Sequence, residues 1–358
     1  MTSKAKKKAK VVLCSAQTKY NVVKKVSRDM NFKMSDAVNR EWDLYWSDVG
    51  VFPEQVQKLK PHQRINCQPG TLNLARKNNL ARNLSRLQRH FPKEYKFYPE
   101  TWVLPQDLLD FKCQFDKKKK SKTFIIKPVS GCQGKGIYLT KKFCDVEMEE
   151  GCSYVAQKYM GKPYLIDDLK FDLRVYCLVY GSDPLRVFMF KEGIARFATA
   201  EYTEPTKNNL DNLYMHLTNY AINKDSDDFI PSTGEDDDYA NKRTLSSILA
   251  YMEEHEEDFE AEDMLRKIEE ICVKTVITAQ PALAHSYHTC LPNDLDNSQC
   301  FQLLGLDIMI DSKLKPWLLE VNHLSSLATD SPLDKTVKYD LVSDTLRLLN
   351  LSVERRNK

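Results

Sequence analysis

Residues 304–323 read LGLDIMIDSKLKPWLLEVNH, and where their polar residues fall decides the fold. Two apolar runs, Leu303–Asp311 and Pro316–Val321, flank Ser312–Lys315, a polar stretch that reads as the loop of an antiparallel hairpin. The symmetry point lies between Lys313 and Leu314. Asp307 and Glu320 are equidistant from it, so in-register pairing makes them cross-strand neighbours. Asn322 lies two residues past Glu320 and shares its face. Three oxygen ligands thus converge from otherwise apolar strands, while Ile308, Ile310, Leu319 and Val321 form a core face. Adjacent carboxylates repel, and a cation between them relieves the repulsion. Few, hard oxygen donors suit Mg²⁺ bound together with phosphates. The polar face of an exposed edge hairpin would give the same pattern, so the hairpin alone leaves both readings open.

A second stretch bears on the choice. Phe124–Ile126 begin a buried strand that ends at Lys127-Pro128. Gly131, Gly134 and Gly136 follow, then a short strand at Ile137–Leu139. Glycines let backbone N–H groups approach phosphate oxygens, and a lysine leaving the strand reaches the same charge. With the carboxylate hairpin, this points to ATP. It is not a P-loop ATPase, because no G-K-[ST] occurs. HRD and DFG are both absent, which excludes the protein-kinase pattern.

The remaining elements are those of a mixed α/β chain with antiparallel hairpins rather than a regular βαβ array. Val11–Leu13 opens a first strand. Leu80, Leu84, Leu87 and Phe91 recur at helical spacing, with Arg82, Arg86 and Arg89 on the other side. Asp172–Tyr180 alternates as a strand, turns at Gly181–Pro184 and returns along Leu185–Phe190. Lys170, Asp172 and Arg174 share one face of that strand, opposite Leu173, Val175 and Cys177. Met215–Lys224 reads as a polar loop. Leu245, Ile248, Leu249 and Met252 mark one helix; Ile268, Ile271, Cys272, Thr275 and Val276 mark another. Leu333–Leu351 reads as a closing helix. Lys117–Lys120 and Glu235–Asp238 read as charged loops, and Met1–Lys10 as a disordered basic arm.

Composition adds bounds. The chain has 358 residues, 42% hydrophobic and 29% charged, which fits interlocked lobes around shared cores. No apolar run reaches the roughly 18 residues of a membrane span, and Val11–Cys14 is too short for a signal-peptide core. The ten cysteines form no CxxC pair, so reduced thiols and a cytosolic setting are expected. His285, His288, Cys290 and Cys300 match no common zinc spacing and read as packing residues. The net charge of +3 hides a segregation: residues 1–142 hold 31 Lys+Arg and 11 Asp+Glu, leaving 22 basic and 39 acidic residues beyond. Such a basic half suits an acidic partner. Nucleic acid, an anionic membrane or an acidic protein tail all qualify, and so does a merely solvated face.

Five segments taken in order, FIIKPVSGCQGKGI, KFDLRVYCLV, ARFAT, MHLTNYAINK and LGLDIMIDSKLKPWLLEVNH, give the chain a resemblance to the tubulin tyrosine ligase-like enzymes, nearest the polyglutamylase branch, from about Trp42 to Leu351. The resemblance implies an ATP-grasp fold of the α/β (α+β mixed) class. Its lobes would be residues 11–95, a central lobe 96–160 with the glycine-rich loop, and 161–352 with the hairpin, between the basic arm 1–10 and a tail 353–358. It implies ATP phosphates at Lys127, Gln133, Lys135 and Gly136. Adenine falls at the hinge Gln157, Lys158, Tyr159 and Met160, and Lys170, Phe171, Asp172, Thr218 and Asn219 complete the nucleotide site. Mg²⁺ falls on Asp307, Glu320 and Asn322. Arg196, Tyr220, Lys242 and Lys335 would hold the amino-acid substrate. Two departures stand out: Val129 follows Lys-Pro where an aspartate is common, and His323-Leu324-Ser325-Ser326 replaces a loop that often carries proline.

The implied reaction is ligation of free L-glutamate to glutamates of tubulin tails, with chain elongation the expected preference. A tail carboxylate takes the γ-phosphoryl of ATP to give an acyl-phosphate and ADP; the amine of glutamate then displaces the phosphate. Lys127 and Arg174 supply fixed positive charge, Glu320 holds metal, and His323 faces the acceptor or takes the amine proton. Arg196 pairs with a carboxylate of the incoming glutamate. The setting implied is the cytoplasm and cytoskeleton, with cilium or flagellum and basal body. The protein is expected to be a monomer that binds microtubules through its core and engages neither nucleic acid nor membrane. A polyglycylase, a tyrosine ligase and an inactive microtubule-binding relative are the alternatives. If the basic half captures acidic tails, activity on microtubules falls steeply as salt is added; salt-insensitive binding, measured by co-sedimentation, contradicts that.

Overall fold

The computed structural model describes residues 9–38, 41–116, 121–131, 133–234 and 239–356. Residues 1–8 of the basic arm, Lys117–Lys120, the acidic run 235–238 and the last two residues of the tail lie outside the described residues.

The chain opens with β1 (Val12–Gln17), α1 (Asn21–Asp29), β2 (Lys33–Ser35), β3 (Leu44–Ser47), α2 (Pro53–Val56) and β4 (Arg64–Ile65). The four strands form a parallel sheet in the order β2-β1-β3-β4. Two helices follow, α3 (Leu72–Ala75) and α4 (Lys77–His90). As the spacing predicts, Leu80 and Leu84 of α4 are buried; Phe91 falls on the C-cap and is 54% exposed. Next come β5 (Thr101–Leu104), α5 (Leu108–Lys112), β6 (Phe124–Pro128), β7 (Tyr138–Thr140) and β8 (Tyr154–Lys158). These strands make an antiparallel sheet, β5-β8-β6-β7, in which Phe124 and Ile126 bury one face against Trp102 and Phe111.

The largest sheet comes from β9 (Leu165–Ile166), β10 (Leu169–Ser182), β11 (Leu185–Phe197), α6 (Leu213–His216), α7 (Tyr220–Asn223), β12 (Lys242–Thr244), α8 (Leu245–His255), α9 (Ala261–Ile277), α10 (Gln280–Cys290), β13 (Gln302–Ile310), β14 (Pro316–Asn322) and α11 (Pro332–Leu348). Its order is β12-β11-β10-β13-β14, with β9 beside β10. Leu173, Val175 and Cys177 of β10 and Leu306, Ile308 and Ile310 of β13 bury one face under α8 and α9. Ile248, Leu249 and Met252 are the buried stripe of α8, and Thr244 caps that helix by accepting from the N–H of Ser247. Met215–Lys224, expected as a loop, instead holds the end of the single-turn helix α6 and all of α7; one turn is too short to leave a periodicity in sequence.

Among the described residues, no helix is long and apolar enough to cross a membrane. Cys290 and Cys300 pack with Tyr287 in an apolar cluster beside β1 and β4, while His288 Nε2 lies 3.4 Å from Asp183.

Candidate active site

The hairpin pairs Asp307 with Glu320, as its symmetry predicts, but by a different route. Ile310 faces Pro316 and Ile308 faces Leu318, a register centred on Lys313 that would set Asp307 opposite Leu319. A β-bulge at Leu319 inserts the missing residue and restores the carboxylate pair. The bulge also corrects the expected core face: Leu318 is buried in the core, and Leu319 lines the cleft beside Glu320.

Asp307 sits at the centre of an ionic ladder. Arg174 on β10 is its cross-strand partner and donates both Nε and Nη2, the latter at 3.1 Å. Gly305 makes room for this, because a Cβ there would stand 2.8 Å from Arg174 Cδ. Arg196 Nη2 lies 2.9 Å from Asp307 and 2.6 Å from Asp172. Burial alone would raise the Asp307 pKa, but Arg174 and Arg196 outweigh it and hold the carboxyl well below the usual range. Glu320 goes the other way, raised first by burial and then by the charge of Asp307. Asn322 Nδ2 lies 3.2 Å from Glu320 Oε1 and 3.4 Å from Asp307 Oδ2. Two carboxylates and an amide oxygen are hard donors. Among the described residues Glu320 makes no ion pair, with Lys127 and Lys77 acting on it only from a distance, so the set fits a divalent cation such as Mg²⁺.

Facing the hairpin is the glycine turn. Lys127, at the end of β6, is buried and donates to Gln157 Oε1 at 2.9 Å; burial lowers its pKa. Gly134 has φ +80°, and a Cβ there would collide with Cδ1 of Ile222, so the turn packs closely on α7. From α4, Lys77 Nζ reaches the carbonyl of Gly131 at 2.8 Å and straps the turn down. A cleft of about 580 Å³ separates turn from hairpin. Lys127, Gln133, Lys135, Gln157, Lys158, Tyr159, Met160, Lys170, Asp172, Thr218, Asn219, Asp307, Glu320, Asn322 and His323 all line it, and Gly136 lies in the turn itself. Lys158 also pairs with Glu100, and the His323 backbone accepts from Gln302 Nε2. Burial pushes Lys170 down to about 7, and lowers His323 as well.

Four expected residues are placed differently. Arg174, expected to present charge in the cleft, is held on Asp307 and is not among the cleft-lining residues. Phe171 turns away from the cleft into the core, stacked on Phe197, because it alternates with the inward-facing Lys170 and Asp172. Arg196 is already engaged: Nε and Nη2 bond Asp172, and Nη2 also reaches Asp307. It therefore orders the carboxylates rather than standing open as a fork for substrate. Lys335 is exposed on the outer side of α11. One turn on, Lys338 is buried and pairs with Asp334 at 2.6 Å, which Lys242 also meets at 2.7 Å. Lys242 lies 3.8 Å over the Tyr220 ring, so these two expected residues do come together. Lys77, His216 and Lys338 are the residues that sequence reasoning missed. For Lys77 the available signal was its place at the start of the basic helix; helical phase alone separates Lys338 from Lys335.

A sequence model of the tubulin-tyrosine ligase family matches residues 54–358. A probable beta-tubulin polyglutamylase of Tetrahymena thermophila is 45% identical over 356 residues, 98% of this chain and 30% of that protein. A tubulin polyglutamylase of Danio rerio is 48% identical over 340 residues, 95% of this chain and 42% of that protein. A human tubulin polyglutamylase is 46% identical over 342 residues, 96% and 37%. The chain thus spans between 30% and 42% of the length of these curated relatives.

Proposed function

The chain belongs to the tubulin-tyrosine ligase family, and on that premise we propose that it is an ATP-dependent ligase joining free glutamate to glutamates of tubulin C-terminal tails. One observation carries the proposal: the Asp307–Glu320–Asn322 hairpin faces Lys127 and the glycine turn across a single cleft. That arrangement supports reading the cleft as an ATP-grasp site, in which nucleotide would lie between the antiparallel sheet β5-β8-β6-β7 and the large sheet. The names of its relatives supply the substrate.

Within the cleft, Asp307, Glu320 and Asn322 would hold Mg²⁺, which neutralises phosphate charge when bound. Arg174 and Arg196 keep Asp307 ionised and pointed at the cleft. Lys127, freed of water by burial, offers its charge to phosphate oxygens beside the backbone N–H groups of the turn. His323, kept neutral by burial at the hairpin's end, can accept a proton from an incoming amine. Beyond the hairpin, the Lys242–Asp334–Lys338 cluster carries one net positive charge. It would hold a glutamate carboxylate better than Arg196, whose guanidinium is already bonded to Asp172 and Asp307.

Lys170 gives a pH prediction. With its pKa lowered to about 7, it is mostly uncharged at pH 8, and phosphate nearby restores the charge. ATP binding at pH 8 should therefore take up protons, seen as a calorimetric enthalpy that changes with the buffer's ionisation heat; a buffer-independent enthalpy contradicts it.

Competition among glutamate, glycine and tyrosine for incorporation into microtubules tests the function. Glutamate is expected to be preferred. Preference for glycine or tyrosine would keep the ligase and overturn the substrate. Binding without any incorporation would make the chain a non-catalytic microtubule binder.

A further inference from the structure

From Lys170 and Tyr159 in the cleft wall, a line of buried polar groups runs back to His216 and Asn209, for which the proposed reaction has no direct use. Lys170 Nζ lies 3.0 Å from Tyr159 Oη and 2.8 Å from the His216 carbonyl. Tyr159 Oη is 2.8 Å from His216 Nδ1, and His216 Nε2 is 2.9 Å from the Asn209 carbonyl. A carbonyl only accepts, so Nε2 carries the ring hydrogen. Nδ1 is then a bare lone pair, and Tyr159 must donate its hydroxyl hydrogen to it. The remaining lone pairs of the phenol oxygen face Lys170, which donates. With Lys170 protonated, as it would be beside a phosphate, each hydrogen from Lys170 to Asn209 has one direction; the Tyr202 hydroxyl, which donates to the Gly161 carbonyl at 3.1 Å, also approaches Tyr159.

The far end of the line is anchored. Asn209 Nδ2 donates to Thr203 Oγ1 at 3.0 Å and to the Glu204 carbonyl at 3.1 Å. His216 is 1% exposed, and burial, then the charge of Lys170, pushes its pKa down to about 4, so protonation does not reverse the tautomer at neutral pH. Asp172 shares a strand face with Lys170 and is the nearby carboxylate toward which a released ammonium would turn.

We propose that His216 is a positioning residue for nucleotide binding: through Tyr159 it fixes where the Lys170 ammonium sits in the cleft wall. This rests on reading the cleft as an ATP site. Two of the lysine's hydrogens are spoken for by Tyr159 and the His216 carbonyl, which leaves the third for a nucleotide. Removing the imidazole frees the Tyr159 hydroxyl to rotate and turn its own hydrogen toward the lysine. The ammonium then loses one of its two acceptors.

The test is calorimetric ATP binding to the full chain, with steady-state kinetics alongside. His216→Leu and Tyr159→Phe should each weaken ATP binding about tenfold, the equivalent of about 1.4 kcal/mol. The double variant should be no worse than the weaker single, as for members of one chain of bonds. His216→Asn keeps an acceptor where Nδ1 stood and should recover most of the loss. In the His216 variants, turnover at saturating ATP and the KM for glutamate should stay within about twofold, since ground-state nucleotide binding alone is affected. If the leucine variant melts early, Tyr159→Phe, which removes a single oxygen, decides. Unchanged affinity in Tyr159→Phe, additive losses in the double variant, or His216→Asn no better than His216→Leu would each overturn the relay while leaving the ATP site standing. A parent chain that binds no ATP would remove both.

Discussion

Glu320→Gln should cut ligase turnover by at least about a thousandfold, since it removes a charged group that acts on phosphoryl transfer, while the protein melts no lower than the parent. The two halves of that expectation have different causes. Glu320 is a carboxylate whose ionised form is disfavoured by burial and by Asp307 beside it. A neutral amide of the same shape removes that cost and keeps the contact with Asn322. The activity loss comes from the missing charge, because glutamine is a poorer ligand for a hard cation. Turnover and thermal melting on the same preparation check it. A melting temperature that drops with the activity would mean that Glu320 is structural.

Asp307→Asn should do the reverse on stability. Arg174 and Arg196, their side chains only 14% and 12% exposed, share this carboxylate, and Asp172 compensates only Arg196. Removing one partner of a buried ion pair costs about 3–5 kcal/mol, most of it the penalty on the charge left behind. Denaturant titration should show that loss as a shifted midpoint, together with loss of ligation. An unchanged midpoint would mean that the arginines find other partners and that the ladder contributes little to the fold. Two carboxylates facing each other across one hairpin thus have opposite effects on stability, set by how many cations each one touches.

The sequence disclosed the hairpin because a polar loop between two apolar runs defines a centre, and a centre defines pairs. It did not disclose the bulge at Leu319, which shifts the register after the turn and leaves no mark in residue types. The same limit hid the engagement of Arg196. Its pairing with Asp172 depends on two register shifts along β10 and β11, so counting from the Gly181–Pro184 turn cannot find it. Phe171 was legible: the alternation that sends Lys170 and Asp172 into the cleft sends Phe171 to the core. Lys338 was not, since the loop after Asn322 leaves the phase of α11 undefined until Ser331 caps the helix by accepting from the N–H of Asp334. Lys77 and His216 reach the cleft only through contacts far apart in sequence, the first across 54 residues to the glycine turn and the second across 57 to Tyr159.

The most direct test of the central claim is incorporation of radiolabelled glutamate into microtubules with ATP and Mg²⁺, for the parent chain and Glu320→Gln side by side. Incorporation is expected of the parent, with one ADP released per glutamate joined, and none of the variant. Equal incorporation by both would contradict the assignment of the hairpin as the metal and phosphate site, and none by either would contradict the ligase itself.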